Sequence, residues 1–148
     1  MTTIRVQTAD FDTGAECDSL ARHGTETGAL ATFTGLVRGD DDLVSLTLEH
    51  YPGMTEREIA RHVDEARSRW NLLEVTVIHR IGRLTPGDRI VFVGTASSHR
   101  KAAFEACEFL MDYLKTRAPF WKQEERANGI AWTDAKLSDN ASAERWKR

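Results

Sequence analysis

The chain has 148 residues, of which 41% are hydrophobic and 29% charged, a composition typical of a single folded domain over residues 1–148. Its 20 Lys and Arg residues against 23 Asp and Glu residues give a formal net charge of −3, which argues against nonspecific nucleic-acid binding. The N-terminal sequence lacks a basic-then-apolar signal pattern and no apolar run reaches membrane length, so we expect a soluble, cytoplasmic protein without a membrane segment.

The first half of the chain begins with a predicted strand, in which Ile4 and Val6 alternate with polar residues. A helix is predicted through CDSLARHG, ending at Gly24. Residues 29–37 (ALATFTGLV) and 43–51 (LVSLTLEHY) then predict two strands joined by the polar turn RGDDD.

The clearest helix start in the sequence lies at Thr55. Thr55 is the predicted N-cap and Glu58 its partner three residues later, which together form a capping box. Apolar residues follow at helical spacing up to Asn71, which closes the helix; they are Ile59, Val63, Ala66 and Trp70.

The second half predicts two more strands, a helix and a hairpin. The strands LEVTVIHRI and RIVFVGTA are joined by a turn at Thr85-Pro86-Gly87-Asp88, and a helix covers roughly 99–117. After Pro119, the segment FWKQEERANGIAWTDA predicts a hairpin with Asn128-Gly129 as its two-residue turn. This order predicts an α+β fold, a mixed, hairpin-rich sheet with covering helices.

The residue types argue against several common kinds of site. Cys17 and Cys107 have no metal-ligand spacing, and Cys107 lies on the apolar face of the second long helix, which predicts a buried thiol. The histidines form no HExxH pattern, so no metal site is expected. The chain also lacks a Walker loop, a GxGxxG motif and a serine nucleophile elbow.

Three consecutive cationic residues open the second long helix. Ser98 is the predicted N-cap, and His99, Arg100 and Lys101 follow it. A helix N-terminus already carries about half a positive charge, so cations there are unfavourable by a few tenths of a kcal/mol each. The trio is understandable if an anion binds the free backbone N–H groups together with these side chains. The alternative is that all three side chains point into water.

Two lysines flank the break at Pro119. Lys115 lies in the last turn of the helix, and a strand starting at Phe120 places Phe120, Lys122 and Glu124 on one face. Neighbouring ammonium groups lower each other's proton affinity, which makes one of them a plausible proton donor or acceptor near neutral pH. Glu124 can orient Lys122 through a charge-assisted hydrogen bond. The alternative is a pair of unrelated, solvated lysines.

A third cationic position ends the strand in FTGLVRG at residues 33–39. Gly35 suits a bulge, and Arg38 stands at the strand end, where its planar guanidinium group fits phosphate or carboxylate oxygens. A single arginine at a strand end is also common on ordinary protein surfaces.

These segments together resemble one enzyme family. The succession FTGLVRG, LEHYPGM, IHRIGRLTPGD and SSHRKAAFEACEFLMDYLKTRAPFWKQE, with the closing hairpin, is similar to the large, catalytic subunit of molybdopterin synthase from about Ala29 to Trp146. The resemblance implies an α/β hammerhead fold and a homodimer. Each subunit would bind a small ubiquitin-like sulfur carrier, giving a two-plus-two heterotetramer.

The same resemblance implies an activity. The family converts cyclic pyranopterin monophosphate to molybdopterin in molybdenum cofactor biosynthesis, installing two sulfurs as a dithiolene. The sulfur comes from the C-terminal Gly-Gly thiocarboxylate of the carrier, and no metal or organic cofactor is implied for this step.

The family's site residues fall on positions singled out above. Lys115 and Lys122 match the two active-site lysines. The implied substrate-binding positions are Leu36, Val37, Arg38, His99, Arg100, Lys115, Lys122, Gln123 and Glu124. Phe33 and Met111 match pocket-lining positions, and Lys136 stands where some relatives have Arg.

Two other classes of function remain open from the sequence. A noncatalytic phosphate- or pterin-binding module would keep His99 and Arg100 but would not need paired lysines. An RNA-binding α+β domain would need a broad basic face, against which Glu124, Glu125 and the net charge argue.

The C-terminal part of the chain carries Trp121, Trp132 and Trp146 in an otherwise polar stretch. Each must pack on its own domain or lie in an interface, where tryptophans commonly dominate the energetics.

Overall fold

The computed structural model describes residues 1–22, 24–40, 42–133 and 144–147. In chain order its elements are β1 (Thr2–Gln7), α1 (Thr13–Leu20), β2 (Ala29–Leu36), β3 (Leu43–His50), α2 (Met54–Arg69), β4 (Glu74–Arg80), β5 (Gly82–Leu84), β6 (Arg89–Ser97), α3 (Arg100–Thr116), β7 (Phe120–Arg126) and β8 (Gly129–Thr133). The predicted α+β class is confirmed. No helix in these ranges is both long and apolar enough to cross a membrane.

The first sheet has the strand order β1-β4-β6-β2, with β1 parallel to β4 and the other neighbours antiparallel. Because side chains alternate along a strand, its two faces bury different partners. Val75, Val77, Val91 and Val93 pack on one face against α2 and α3. Ile78 and Phe92 pack on the other face against Phe11 and Leu20, at the start and end of the α1 region. The first sheet is therefore covered by helices on both faces.

The second sheet has the order β5-β3-β7-β8 and is antiparallel throughout. Its inner face forms a smaller apolar cluster of Val37, Leu46, Leu48 and Leu84. Ile90 packs against both this cluster and the main core, so it joins the two sheets.

The polar RGDDD segment was predicted to join two strands as a turn, but it does not close a hairpin. β2 pairs with β6 in the first sheet, whereas β3 pairs with β5 and β7 in the second. The chain instead crosses between sheets after Val37, whose N–H donates to the Asp88 carbonyl (2.8 Å). The inner faces of the two strands bury their apolar residues in separate clusters, which explains why they do not pair. The short strand β5 was not predicted.

The capping of α2 also differs from the prediction. Gly53 is the N-cap, and Glu56, not Glu58, accepts a hydrogen bond from its backbone N–H (3.0 Å). Thr55 lies inside the helix with a buried hydroxyl that donates to the carbonyl of Pro119 (3.1 Å) and accepts from the N–H of Tyr51 (3.0 Å). The threonine therefore bonds to a distant part of the chain instead of capping its own helix.

The remaining boundaries shift by smaller amounts. α1 begins at Thr13 with Asp12 as its N-cap and ends at Leu20, four residues before the predicted end at Gly24. The turn after β5 is confirmed, and its positive φ of 93° at Gly87 makes it type II. The β7–β8 hairpin is also confirmed, but Arg126 pairs with Gly129, so its two-residue loop is residues 127–128.

Candidate functional site

Lys115 lies where the last turn of α3 meets the end of the first sheet. Its side chain is exposed, and α3 ends one residue later at Thr116. The partial negative charge at a helix C-terminus favours a cation at this position. The core stripe predicted for α3, Ala103, Cys107, Leu110 and Leu114, is buried as expected, so the helix holds Lys115 on a rigid base.

Pro119 turns the chain from α3 into β7. The N–H of Phe120 donates to the carbonyl of Ala118 (2.8 Å), which closes a three-residue turn around Pro119. The carbonyl of Pro119 accepts the buried Thr55 hydroxyl, which ties the turn to the first turn of α2. The break predicted at Pro119 is thus a fixed bend, held from outside by Thr55.

Lys122 follows on β7, whose strand assignment is confirmed. It pairs in register with Leu48 and shares the inner face of the second sheet with Phe120 and Glu124. Glu124 does not orient Lys122 as predicted, since its carboxylate ion-pairs with Arg126 on the same strand face. Lys122 lies two residues before Glu124 and Arg126 two residues after it, so both can reach the carboxylate. The arginine forms the ion pair. Gln123 points to the opposite face of the strand.

A buried histidine, His79, lies next to the strand that carries Lys122. The ring of His79, on β4, stacks on the ring of Phe120 with centroids 3.9 Å apart. Burial, together with the charges of nearby Lys115 and His50, lowers the pKa of His79 to about 4. His79 therefore contacts the strand that carries Lys122 and lies within electrostatic range of Lys115.

Arg38 lies at this same end of the first sheet. His79 and Gly35 both pair with Val91, so the three residues form one row across the sheet, and Arg38 follows Gly35 by three residues. Its guanidinium is exposed and its Nε lies 2.9 Å from a carboxylate oxygen of Asp40.

The two residues before Arg38 complete this strand end. Leu36 is exposed, whereas Val37 is buried in the cluster of the second sheet. Backbone hydrogen bonds of Val37 to Gly87 and Asp88 (both 2.8 Å) fix the strand end against the type II turn.

His99 and Arg100 lie at the opposite end of the first sheet. His99, not Ser98, is the N-cap of α3, and both side chains are exposed. β6 has nine residues and pairs with β2 from Arg89 to Ser97, which places the two strand ends roughly 25 Å apart at the ordinary rise per residue. One copy of the chain therefore does not bring His99 and Arg100 to the lysines and Arg38.

The three predicted pocket residues have different surroundings. Phe33 is 40% exposed on β2, and Met111 is 8% exposed within the main core. Lys136 lies outside the described residues.

Sequence reasoning missed two residues of this region, His79 and Thr55. A signal for His79 was present in LEVTVIHRI, where it takes the next core-facing position after Val75 and Val77. Thr55 was singled out only as a helix cap, and its role at the bend could not be found from the sequence, because its hydroxyl bonds to Pro119, 64 residues away.

Two surface depressions lie outside the lysine region. One, of about 550 Å³, is lined by Asp10, Thr13, Thr34, Leu36, Gly87, Asp88 and Arg89. The other, of about 460 Å³, is lined by His62, Glu65, Arg69, Phe109, Tyr113, Arg117, Trp146 and Lys147. Neither depression is lined by Lys115 or Lys122.

Comparison with known proteins shows the family of the chain. The model of the MoaE protein family matches residues 6–117, which include Arg38, His99, Arg100 and Lys115. The chain belongs to the MoaE family. A MoaE-family relative, the molybdopterin synthase catalytic subunit of Escherichia coli, is 57% identical over 148 residues, covering 98% of both chains.

Solved MoaE-family structures share the fold. The molybdopterin biosynthesis MoaE protein of Burkholderia ambifaria superposes with a TM-score of 0.86 and 50% identity, covering 100% of this chain and 99% of that one. A structure of molybdopterin synthase from Staphylococcus aureus has a TM-score of 0.79 and 28% identity, covering 87% of this chain and 95% of that one.

Proposed function

We propose that this chain is the catalytic subunit of a molybdopterin synthase, a sulfur transferase that converts cyclic pyranopterin monophosphate to molybdopterin. The observation that carries the proposal is the bend between α3 and β7. Lys115 ends α3 within electrostatic range of His79, and Lys122 follows Phe120, whose ring stacks on His79, at the end of the first sheet where Arg38 also lies. Full-length similarity to relatives named as molybdopterin synthase catalytic subunits supports the same activity.

In this reaction the nucleophile belongs to a partner protein. The thiocarboxylate sulfur of a small carrier attacks the pterin side chain, a carbon–oxygen bond of the cyclic phosphate breaks, and the carrier becomes joined through a thioester. Water then cleaves the thioester, which leaves one sulfur on the pterin and a carboxylate on the carrier. A second thiocarboxylated carrier delivers the other sulfur of the dithiolene. Lys115 and Lys122 hold the carrier's terminal group and supply or accept the protons of these steps. Such stabilisation is typically worth about 3 kcal/mol per donor.

The surroundings of Cys107 are consistent with a sulfur donor on the carrier. Burial raises the pKa of Cys107 to about 12, and its Sγ lies 3.8 Å from the carbonyl oxygen of Val93. A thiol held protonated in the core is not a nucleophile. Cys107 is therefore not the source of the transferred sulfur, in keeping with a sulfur donor on the carrier.

The substrate phosphate needs local positive charge, since the chain as a whole carries −3. Arg38 supplies it at the lysine end of the sheet. Its ion pair with Asp40 is exposed, and exposed pairs contribute at most about 1 kcal/mol, so a phosphate can displace the carboxylate. Its planar guanidinium can then bind two phosphate oxygens at once.

The second part of the anion site comes from another copy of the chain. His99 and Arg100 are roughly 25 Å from Arg38 along the first sheet, too far to bind the same phosphate. In a homodimer, the N-terminus of α3 from one copy can meet the lysine end of the other. We therefore place two shared sites in each dimer, with Gln123 and Glu124 as further members from β7.

The carrier docks near the hairpin. Trp146 packs on Trp70 and Phe109 of its own domain, whereas Trp121 and Trp132 are 38% and 56% exposed on the outer face of β7 and β8. Exposed tryptophans on a strand that also carries Lys122 suit the surface that holds the carrier's body while its tail reaches the lysines. The assembly is then a heterotetramer of two catalytic subunits and two carriers.

The chain acts as one domain, because Ile90 packs into the cores of both sheets. Its location is the cytoplasm, in keeping with the biosynthetic role in the name of the Burkholderia ambifaria protein.

The direct test is reconstitution. The purified chain, incubated with thiocarboxylated carrier and cyclic pyranopterin monophosphate, is expected to form the dithiolene product, and carrier ending in a plain carboxylate is expected to form none. Light scattering on the same samples should show a dimer alone and a two-plus-two complex with carrier. Pterin binding without product, in the presence of active carrier, would instead identify a noncatalytic pterin-binding module.

A further inference from the structure

Arg126, the last residue of β7, lies where the second sheet meets the loop that carries Arg38. It pairs in register with Leu43, the first residue of β3, and lies on the inner face of the sheet, four residues after Lys122. Its side chain is half-buried, with 30% of its surface exposed. No site position implied by the family resemblance falls on it.

The guanidinium group of Arg126 contacts acceptors on two different segments. Nη1 donates to the carbonyl oxygen of Asp40 (3.0 Å), and Nη2 pairs with the carboxylate of Glu124. The donors of a guanidinium group lie in one rigid plane, so two bonds from it fix both acceptors relative to each other. Arg126 thus joins β7 to the loop between β2 and β3.

Asp40 is the residue that connects this contact to Arg38. Its N–H donates to the carbonyl of Arg38 (3.2 Å), and its carboxylate accepts from Arg38 Nε (2.9 Å). Its own carbonyl accepts from two donors, the N–H of Leu43 (3.0 Å) and Nη1 of Arg126. A carbonyl oxygen has two lone pairs, so these donors use both. The bond from Arg126 therefore restrains the backbone that positions the Arg38 guanidinium.

This restraint does not depend on the Asp40 carboxylate. In the proposed function the substrate phosphate displaces that carboxylate from Arg38, which breaks their ion pair. The carbonyl of Asp40 takes no part in the exchange, so its bond to Arg126 persists. The loop is then held to β7 both before and after the phosphate binds. Such positioning matters, because a displacement of about 1 Å can cost about a hundredfold in rate.

The second contact of Arg126 affects Lys122. Glu124 lies between the two cations, two residues from each on the same strand face, and its carboxylate pairs with Arg126. Without Arg126 the carboxylate can turn to Lys122, which lies at the same spacing. It would then compete with the carrier's terminal group for the ammonium donors and bring a negative charge closer to the phosphate. The pair with Arg126 therefore leaves Lys122 available for the reaction.

We propose that Arg126 is a positioning residue for sulfur transfer, whose guanidinium group fixes the Arg38 loop to β7 and holds Glu124 away from Lys122. One side chain then sets the phosphate-binding arginine relative to the strand of the second lysine. The inference rests on the proposed function for its kinetic readout, and on the hydrogen bonds of Arg126 and Asp40 alone for its spectroscopic one.

Two variants separate the two contacts of Arg126. Arg126→Met keeps most of the apolar stem but removes both contacts. Arg126→Lys keeps a positive charge that can pair with Glu124, but its single nitrogen does not hold both acceptors. Arg61→Met is the matched control, because Arg61 forms the same kind of pair, through Nε (3.0 Å) and Nη2 (2.9 Å), with Glu58 of its own helix α2.

The kinetic readout is dithiolene formation at saturating carrier. We expect Arg126→Met to raise KM for the pterin and to lower kcat, each by about tenfold. Arg126→Lys should return kcat to within about threefold of the starting enzyme while the raised KM remains, a split that a loss of folded protein would not produce. Arg61→Met should keep both constants within about twofold. An unchanged KM in both Arg126 variants, or an equal change in Arg61→Met, would overturn the positioning role.

The spectroscopic readout does not need turnover. Nitrogen NMR of the unmodified protein should show a distinct Nε–H signal for Arg38, which donates to the Asp40 carboxylate, and the variant Arg38→Lys assigns it. This signal should shift or broaden in Arg126→Met and stay in place in Arg61→Met. An unchanged Arg38 signal in Arg126→Met would overturn the loop contact. If the unmodified enzyme makes no dithiolene, the proposed function fails while this signal still tests the contact.

Discussion

At the scale of single residues, the two lysines contribute charge and little packing. Lys115 is exposed at the end of α3, and Lys122 is half-buried on β7. The core beneath them is formed by neighbours such as Leu114 and Leu48. Their removal should therefore affect chemistry far more than folding.

Lys115→Ala and Lys122→Ala test this directly. We expect each to lower the rate of product formation by about a hundredfold or more, as for the loss of a donor that stabilises developing charge. The free energy of unfolding should change by less than about 1 kcal/mol, measured by urea denaturation. Lys147→Ala, an exposed lysine paired with Glu144 on the C-terminal segment, is the control and should keep full activity. Near-normal turnover in both site variants would remove the lysines from the mechanism.

His79 should leave a signature in the pH dependence of stability. The pKa of His79 is about 4 in the folded chain against an ordinary 6.5, so between these values the unfolded state binds more protons. The stabilisation is complete above about pH 6.5 and is lost as the pH falls through 4, by about 3 kcal/mol in all. Urea unfolding at pH 7 and pH 4 should show a smaller fall for His79→Phe than for the unmodified chain. Parallel losses in the two proteins would contradict a neutral, buried His79.

At the scale of elements, the site depends on the bend between α3 and β7. The bend is held at three points: the turn from Ala118 to Phe120, the bond of Thr55 to Pro119, and the stack of Phe120 on His79. Two of these anchors come from other elements, α2 and β4. The relative position of the lysines is therefore a tertiary property that α3 and β7 do not set alone.

Thr55→Val tests the anchor from α2. Valine keeps the shape of threonine but leaves the Pro119 carbonyl and the Tyr51 N–H without the buried hydroxyl, which should cost about 1–3 kcal/mol of unfolding free energy. Activity should fall as well, because the bend is loosened. Thr116→Val removes a hydroxyl that bonds only to the Asp112 carbonyl of its own helix, and should cost less than about 1 kcal/mol. Equal effects in the two variants would show that the Thr55 bond has no special role.

The elements also show which parts of the fold could be predicted from the sequence. Local rules worked where the cause was local: the stripe of α3, the type II turn at Gly87 and the hairpin of β7 and β8 were predicted from spacing and turn residues. The pairing of β2 with β6 was not predicted, because the order of strands depends on which apolar faces meet in the core.

In the candidate site, too, only the features with a local cause were predicted correctly from the sequence. The bend at Pro119 and the cations beside it were predicted from residue types and spacing. The partner of Glu124 was predicted wrongly, since Lys122 and Arg126 lie at equal spacing along the strand and only the folded structure shows which one pairs. The roles of Thr55 and His79 depend on contacts between distant segments, which local patterns do not reveal.

At the scale of the whole molecule, the cations stand at two ends of one sheet. Arg38 and the lysines lie at the end where β6 begins, and His99 and Arg100 at the end where it finishes. α3 has 17 residues and spans about 25 Å between these ends, so it presents Arg100 at one end and Lys115 at the other. The proposed function therefore requires that every complete site use two copies of the chain.

Mixing subunits tests this requirement most directly. Arg38→Ala and Arg100→Ala should each lose most dithiolene-forming activity alone, because each breaks both sites of its own dimer. After subunit exchange, half of the dimers are mixed and carry one intact site, so activity should rise to about a quarter of the unmodified level. A mixture of Arg38→Ala with Lys115→Ala should gain nothing, because those residues belong to the same end of the same chain. A mixture of Arg38→Ala and Arg100→Ala that is no more active than the average of its two parts would contradict the shared site.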